Sequence, residues 1–226
     1  MNTADLTPAD PCVGEAARSD QLEIRQLLDQ VAQYAKRLDK SPDQLLSLQR
    51  VSHATGIPRS RVRELVQGAC PLTPPPHGEE LKAYNNTLFV QRFKFLRETR
   101  HDESGEPYSL RGIARGTGIS AQQVGHLLVG ERGPNNDHAT RIERFFRVPE
   151  GFCSRPEGAA LITFLRPLVG EELPNMVTRG LLQELDIQAV GLRRTGSSDG
   201  TLNFAEILPA LEELARRQRE RSKPQG

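Results

Sequence analysis

The sequence predicts an all-α protein, on three observations. Apolar residues recur at spacings of three and four in one segment after another, which gathers them on one face of a helix. No segment shows the period-two alternation of a half-buried strand. Aromatic residues make up 5% of the 226, with no Trp, which suits several small helical units better than one aromatic-rich core.

Residues 1–20, rich in Asp, Ala, Pro and Ser, read as a flexible tail. Met1 to Ala17 is acidic and polar and lacks the apolar stretch of a secretory signal. No run approaches the roughly 18 apolar residues of a membrane-spanning helix, so the expectation is a cytoplasmic, nucleoid-located protein. An N-terminal helical domain is expected over 21–70. Its first helix carries Leu27, Leu28, Val31, Tyr34, Ala35 and Leu38 in one stripe, and Ser41-Pro42-Asp43 starts the next. Residues 71–78, Pro-Leu-Thr-Pro-Pro-Pro-His-Gly, cannot continue a helix, because prolines remove backbone donors and favour extended geometry. A Pro-rich linker is therefore expected over 71–85.

A second helical block, 86–155, opens near Asn86 with Leu88, Phe89, Phe93 and Leu96 on one face. A loop over 101–107 follows, then helices at about 109–116, 120–130 and 137–147, closed by Val148-Pro149. The last region, 156–226, reads as helices at about 159–166, 171–190 and 204–222, with a loop at 195–203. Its final helix carries Phe204, Ile207, Leu208, Leu211 and Leu214 at helical spacing. It ends in Arg216, Arg217, Arg219 and Arg221, which suit a helix C-terminal dipole or a solvated face.

Leu48–Gly68 aligns with Leu110–Gly130 at an offset of 62 residues without a gap. Seven positions are identical: Leu48/Leu110, Thr55/Thr117, Gly56/Gly118, Ile57/Ile119, Val62/Val124, Leu65/Leu127 and Gly68/Gly130. Each copy reads as a helix-turn-helix. Small Ala114 lets the second helix cross the first, and Gly118 takes the left-handed turn that costs only Gly little. Ile119 fills the core, Ser120 caps the second helix, and Val124 and Leu127 point inward. Ala121, Gln122, Gln123 and His126 then lie on or near the outer face. In such a motif the second helix enters the major groove N-terminus first. There Gln can pair bidentately with adenine and Ala can touch a thymine methyl, although His126 could instead pack on a neighbouring helix. Arg132 and the 133–136 loop suit phosphate contacts, which set register without reading sequence.

The stretch SLRGIARGTGISAQQVGHLLVGERGPNNDHATRIERFFRVPEGFC resembles the lambda-repressor-like, or XRE, helix-turn-helix domain over about residues 88–155. The layout is also similar to actinobacterial regulators of the EspR type, which join one such domain to a C-terminal helical dimerisation domain. The resemblance implies two helix-turn-helix bundles, formed by the internal repeat, plus a C-terminal helical dimerisation domain over 156–226. It implies double-stranded DNA as partner, homodimerisation and transcription regulation. Many family members carry a phosphate-binding Gln where this chain has Leu110, so Ser109, Tyr108 or Arg111 would take that role. Gly125 is also unusual, since Gly in a helix interior costs roughly 1 kcal/mol relative to Ala.

Charge follows the same pattern. Net charge is +1, yet residues 46–76 carry 4 basic and 1 acidic residue, and 88–155 carry 11 and 8. In the first copy Pro58 suits the first helical position, and Arg59, Arg61 and Arg63 follow it. Arg59 and Arg63, four apart, share a face that could bind phosphate or guanine, or the copy could serve packing or a protein partner. Cys12, Cys70 and Cys153 are far apart, which points to three unpaired thiols and to neither a disulfide framework nor a zinc site. No Gly-rich phosphate loop, nucleophile motif or metal-ligand spacing is present, so no catalytic residue, metal or cofactor is expected. Two alternatives to a sequence-specific regulator remain: an architectural nucleoid-associated binder, and a protein-interaction module such as an antitoxin or an RNA-polymerase-binding regulator.

Overall fold

The structure, a computed structural model, describes residues 15–185 and 204–221, with side chains of 208–217 in the last helix. Every regular element among them is helical, as expected. No described helix is long and apolar enough to cross a membrane. The chain divides into two compact units. One holds the described residues through Arg25 together with Ser47–Phe164; the other holds Gln26–Leu46 and the described residues from Leu165 onward.

Helix α1 (Glu15–Arg37) starts inside the segment expected to be a tail. Ala17 and Ile24 are buried in register with Val31 and Ala35, so the apolar stripe reaches further back than Leu27. Residues 1–14 lie outside the described residues. Ser41 caps the short α2 (Pro42–Leu45), its backbone N–H donating to Gln44 Oε1 at 2.9 Å.

In the first unit, α3 (Leu48–Thr55) and α4 (Arg59–Val66) form one helix pair, and α6 (Leu110–Thr117) and α7 (Ala121–Val129) another. The turns have nearly the same geometry. Gly56 has φ 69°, ψ 10° and Gly118 has φ 70°, ψ 15°, the left-handed region that suits glycine. In each, a threonine hydroxyl closes the turn. Thr55 donates to the Val51 carbonyl at 2.7 Å and accepts the Ile57 N–H; Thr117 donates to Ile113 at 2.8 Å and accepts from Ile119. Backbone groups left over at the helix end thereby gain partners.

Helix α5 (Gly78–Thr99) begins eight residues before the expected Asn86, so most of the predicted 71–85 linker is helical. Gly78 turns the chain at φ 83° after the prolines, and Glu79 and Glu80 in the first turn complement the helix dipole. Phe89, Phe93 and Leu96 of α5 pack with Ile113, Ile119, Val124, Leu127, Ile142 and Phe146 in one buried cluster. Phe145 stands edge-on between Tyr108, 4.9 Å away, and Phe146, 5.0 Å away. Helix α8 (Asn136–Phe145) supplies buried Glu143, whose carboxylate accepts the N–H groups of Gly151 at 3.0 Å and Cys153 at 2.7 Å. It thereby holds the segment after Val148-Pro149 against the core.

Three arginines tie the α3–α4 pair to the rest of this unit. Arg100 donates to the His53 carbonyl at 3.2 Å and meets its ring. Arg92, 2% exposed, lies under the Gly56 turn beside Phe152, and burial lowers its pKa to about 10. A Cβ at Gly56 would come within 2.7 Å of the Phe152 ring. Arg61 pairs with Glu157, the first residue of α9 (Glu157–Pro167), at 3.0 Å.

In the second unit, a π-type turn at Leu168–Glu172 follows Pro167 and leads into α10 (Leu173–Glu184), where one helix over 171–190 was expected. Val177 and Leu181 pack with Leu208 and Ala215 of α11 (Phe204–Arg221), and Tyr34 of α1 and Leu38 just after it join them. Leu214, expected in the apolar stripe, is 51% exposed and Ala215 takes its place. Arg216 and Arg217 both pair with Glu213 and hold its carboxyl down at about 2. Residues 186–190 and the 195–203 loop lie outside the described residues. The expectation of three unpaired thiols is corrected: Cys70 is disulfide-bonded, while Cys153 is free and buried. Cys70 stands in no C-x-x-C spacing, so the sequence around it carries no local signal for a disulfide.

Candidate nucleic-acid interface

The site is built around the N-terminal half of α7. Ser120 caps this helix, its hydroxyl accepting the Gln123 N–H at 3.2 Å. Val124, Leu127 and Leu128 bury the inner face. Gly130 ends the helix at φ 83°, and its carbonyl accepts from Asn86 Nδ2 of α5 at 3.0 Å. Both ends of α7 are therefore fixed, and the outward side chains inherit that placement.

Ser120, Gln122, Gln123, His126 and Arg132 line one polar concavity of about 200 Å³. Five residues singled out in the sequence are thus brought together. Gln122 is exposed and points to solvent-accessible space. Gln123 is half-buried, with its carboxamide 3.2 Å from His138 Nε2 of α8. His126 hydrogen-bonds through Nδ1 to the carboxylate of Glu131, just past the end of α7, and not to a neighbouring helix. Ala121 is the half-buried first residue of α7. A Cβ at Gly125 would meet nothing within 4 Å, so open space lies beside the helix there.

The remaining candidates lie apart from that concavity. Ser109 is exposed and caps α6, accepting the Gly112 N–H at 3.0 Å; Arg111 beside it is exposed. Arg59 and Arg63 are exposed on α4, and Pro58 stands at the cap position one residue ahead of its expected place. Arg61 is occupied within the chain. Its guanidinium meets Glu157 at 3.0 Å, Glu64 at 2.8 Å and the Cys70 carbonyl at 2.8 Å. Glu157 lies 96 positions away in sequence, so spacing alone could not show that Arg61 is spoken for.

His138, Glu131 and Asn86 are contacts that sequence reasoning missed. Asn86 and His138 act from other helices, and only the cap at Asn135, which accepts the His138 N–H at 2.7 Å, carries a local signal. Among the described residues, no group of three or more His, Cys, Asp or Glu is placed to hold a metal ion. Comparison with protein-family models, with curated proteins and with solved structures gave no match to this chain.

Proposed function

We propose that the protein is a DNA-binding transcriptional regulator that lays α7 in the major groove. In this reading α6–α7 and α3–α4 are helix-turn-helix units of one internal repeat, and residues 156–226 form the homodimer contact. The observation that carries it is the concavity that gathers Ser120, Gln122, Gln123, His126 and Arg132 at the exposed start of α7. Amide, imidazole and hydroxyl groups suit base edges, and an adjacent guanidinium suits phosphate. The helix N-terminus adds partial positive charge on the same side. The open space at Gly125 leaves room for a close approach of backbone to DNA.

The α3–α4 pair is a weaker reader. Arg61 is held by Glu157, which leaves Arg59 and Arg63 as the exposed cations of α4. They contribute charge and α3–α4 serves mainly as a brace against α5.

Selection from a random duplex library tests the proposal. The wild-type protein is expected to enrich an inverted repeat, and Gln122→Ala combined with Gln123→Ala to lose it. Broad, steeply salt-dependent binding without a motif would favour an architectural binder instead. Absence of binding at low salt would leave these helices as protein-interaction units.

A further inference from the structure

His138 is outside the set of residues read as touching DNA, yet it is the residue that holds Gln123. Its backbone is fixed by the α8 cap, where its N–H donates to Asn135 Oδ1 at 2.7 Å. Its ring Nε2 stands 3.2 Å from Gln123 Nε2. Its Nδ1 is buried and has no partner. A buried N–H without an acceptor is rarer and more costly than a buried lone pair, so Nδ1 carries the lone pair and Nε2 the proton. A ring that donates calls for an acceptor, so the carboxamide is assigned the half-turn that puts its oxygen where Nε2 stands.

Gln123 also lines the concavity, and with its oxygen engaged by the ring the free edge of the carboxamide carries the NH₂ beside the oxygen's second lone pair. That adjacent donor and acceptor match N7 and N6 of adenine. A glutamine without the imidazole would offer both orders of donor and acceptor. We propose that His138 is the positioning residue for Gln123, fixing the order in which its carboxamide meets the base and so setting an adenine preference at one position. The proposal rests on the DNA-binding reading of α7.

Two measurements separate the contact from that reading. Nitrogen-15 NMR of the protein without DNA is expected to show His138 with Nδ1 unprotonated and Nε2 protonated; the opposite tautomer would overturn the proposed orientation. On the selected duplex, Gln123→Ala and His138→Leu are each expected to cut discrimination for adenine about tenfold at the same base pair. The double variant should lose no more than either alone, and His138→Gln, which restores a donor, should recover most of the loss. Binding to non-specific DNA should stay unchanged in His138→Leu and His138→Gln. Full discrimination in His138→Leu, or losses that multiply in the double variant, would overturn the proposal. A wild-type protein without base preference would overturn the sequence-reading role of α7 beneath it, while the tautomer still decides the His138–Gln123 contact.

Discussion

Three glycines around the candidate interface do three different things. Gly118 has a left-handed backbone, φ 70°, that an L side chain adopts only with strain. Gly116 gives α6 its close approach to α8: a Cβ there would lie 2.2 Å from the Phe145 ring. That ring is held edge-on by Tyr108 and Phe146 and cannot easily move aside. Gly125 has open space around it. Gly125→Ala should therefore stabilise the fold by about 1 kcal/mol through helix propensity. Gly116→Ala should destabilise it by about 1–3 kcal/mol through overpacking. Denaturant midpoints check both, and equal effects would contradict the packing account. The Gly118 turn was legible in the sequence because a positive φ is a local demand. Gly116 was not: Ala114 was the expected small residue, and only the position of Phe145, far along the chain, shows which residue the crossing needs.

At the scale of elements, α7 is set by its own cap and by two other helices. Ser120 is a local signal and was read correctly as a cap; Asn86 and His138 reach in from α5 and α8. The early start of α5 escaped notice because the prolines before it dominate the local pattern. At the other end of α5, Arg100 clasps His53 of α3. Burial first, and then the charge of Arg100, hold the His53 pKa below its ordinary 6.5. The folded state therefore keeps His53 neutral where the unfolded chain takes up a proton. This contribution to stability is complete above pH 6.5 and is lost as pH falls from there towards the folded pKa. Urea midpoints at about pH 7.5 and about pH 5.5 should differ less in His53→Leu than in the wild type. The same pH dependence in both would show that His53 is not responsible.

For the whole molecule, the all-helical class was legible because apolar spacing recurs locally in every segment. The division into two units was not, since α1 and α9 each contribute to both. The ion pair of Arg61 with Glu157 was equally hidden, because it joins residues 96 positions apart. Homodimerisation belongs to this scale. A lone helix-turn-helix reads few base pairs, and a dimer reads two half-sites about 34 Å apart. Sedimentation equilibrium at micromolar concentration should give twice the 25.1 kDa chain mass. A single-chain mass would contradict the dimer.

The claim that the start of α7 is the DNA-facing surface is tested most directly by NMR. The measurement is a titration of nitrogen-15-labelled protein with a duplex at low salt. The account predicts shifts concentrated at Ser109, Arg111, Ser120 to Gln123, His126 and Arg132, with the α10–α11 residues unmoved. Shifts confined to other surfaces, or none at low salt, would contradict it.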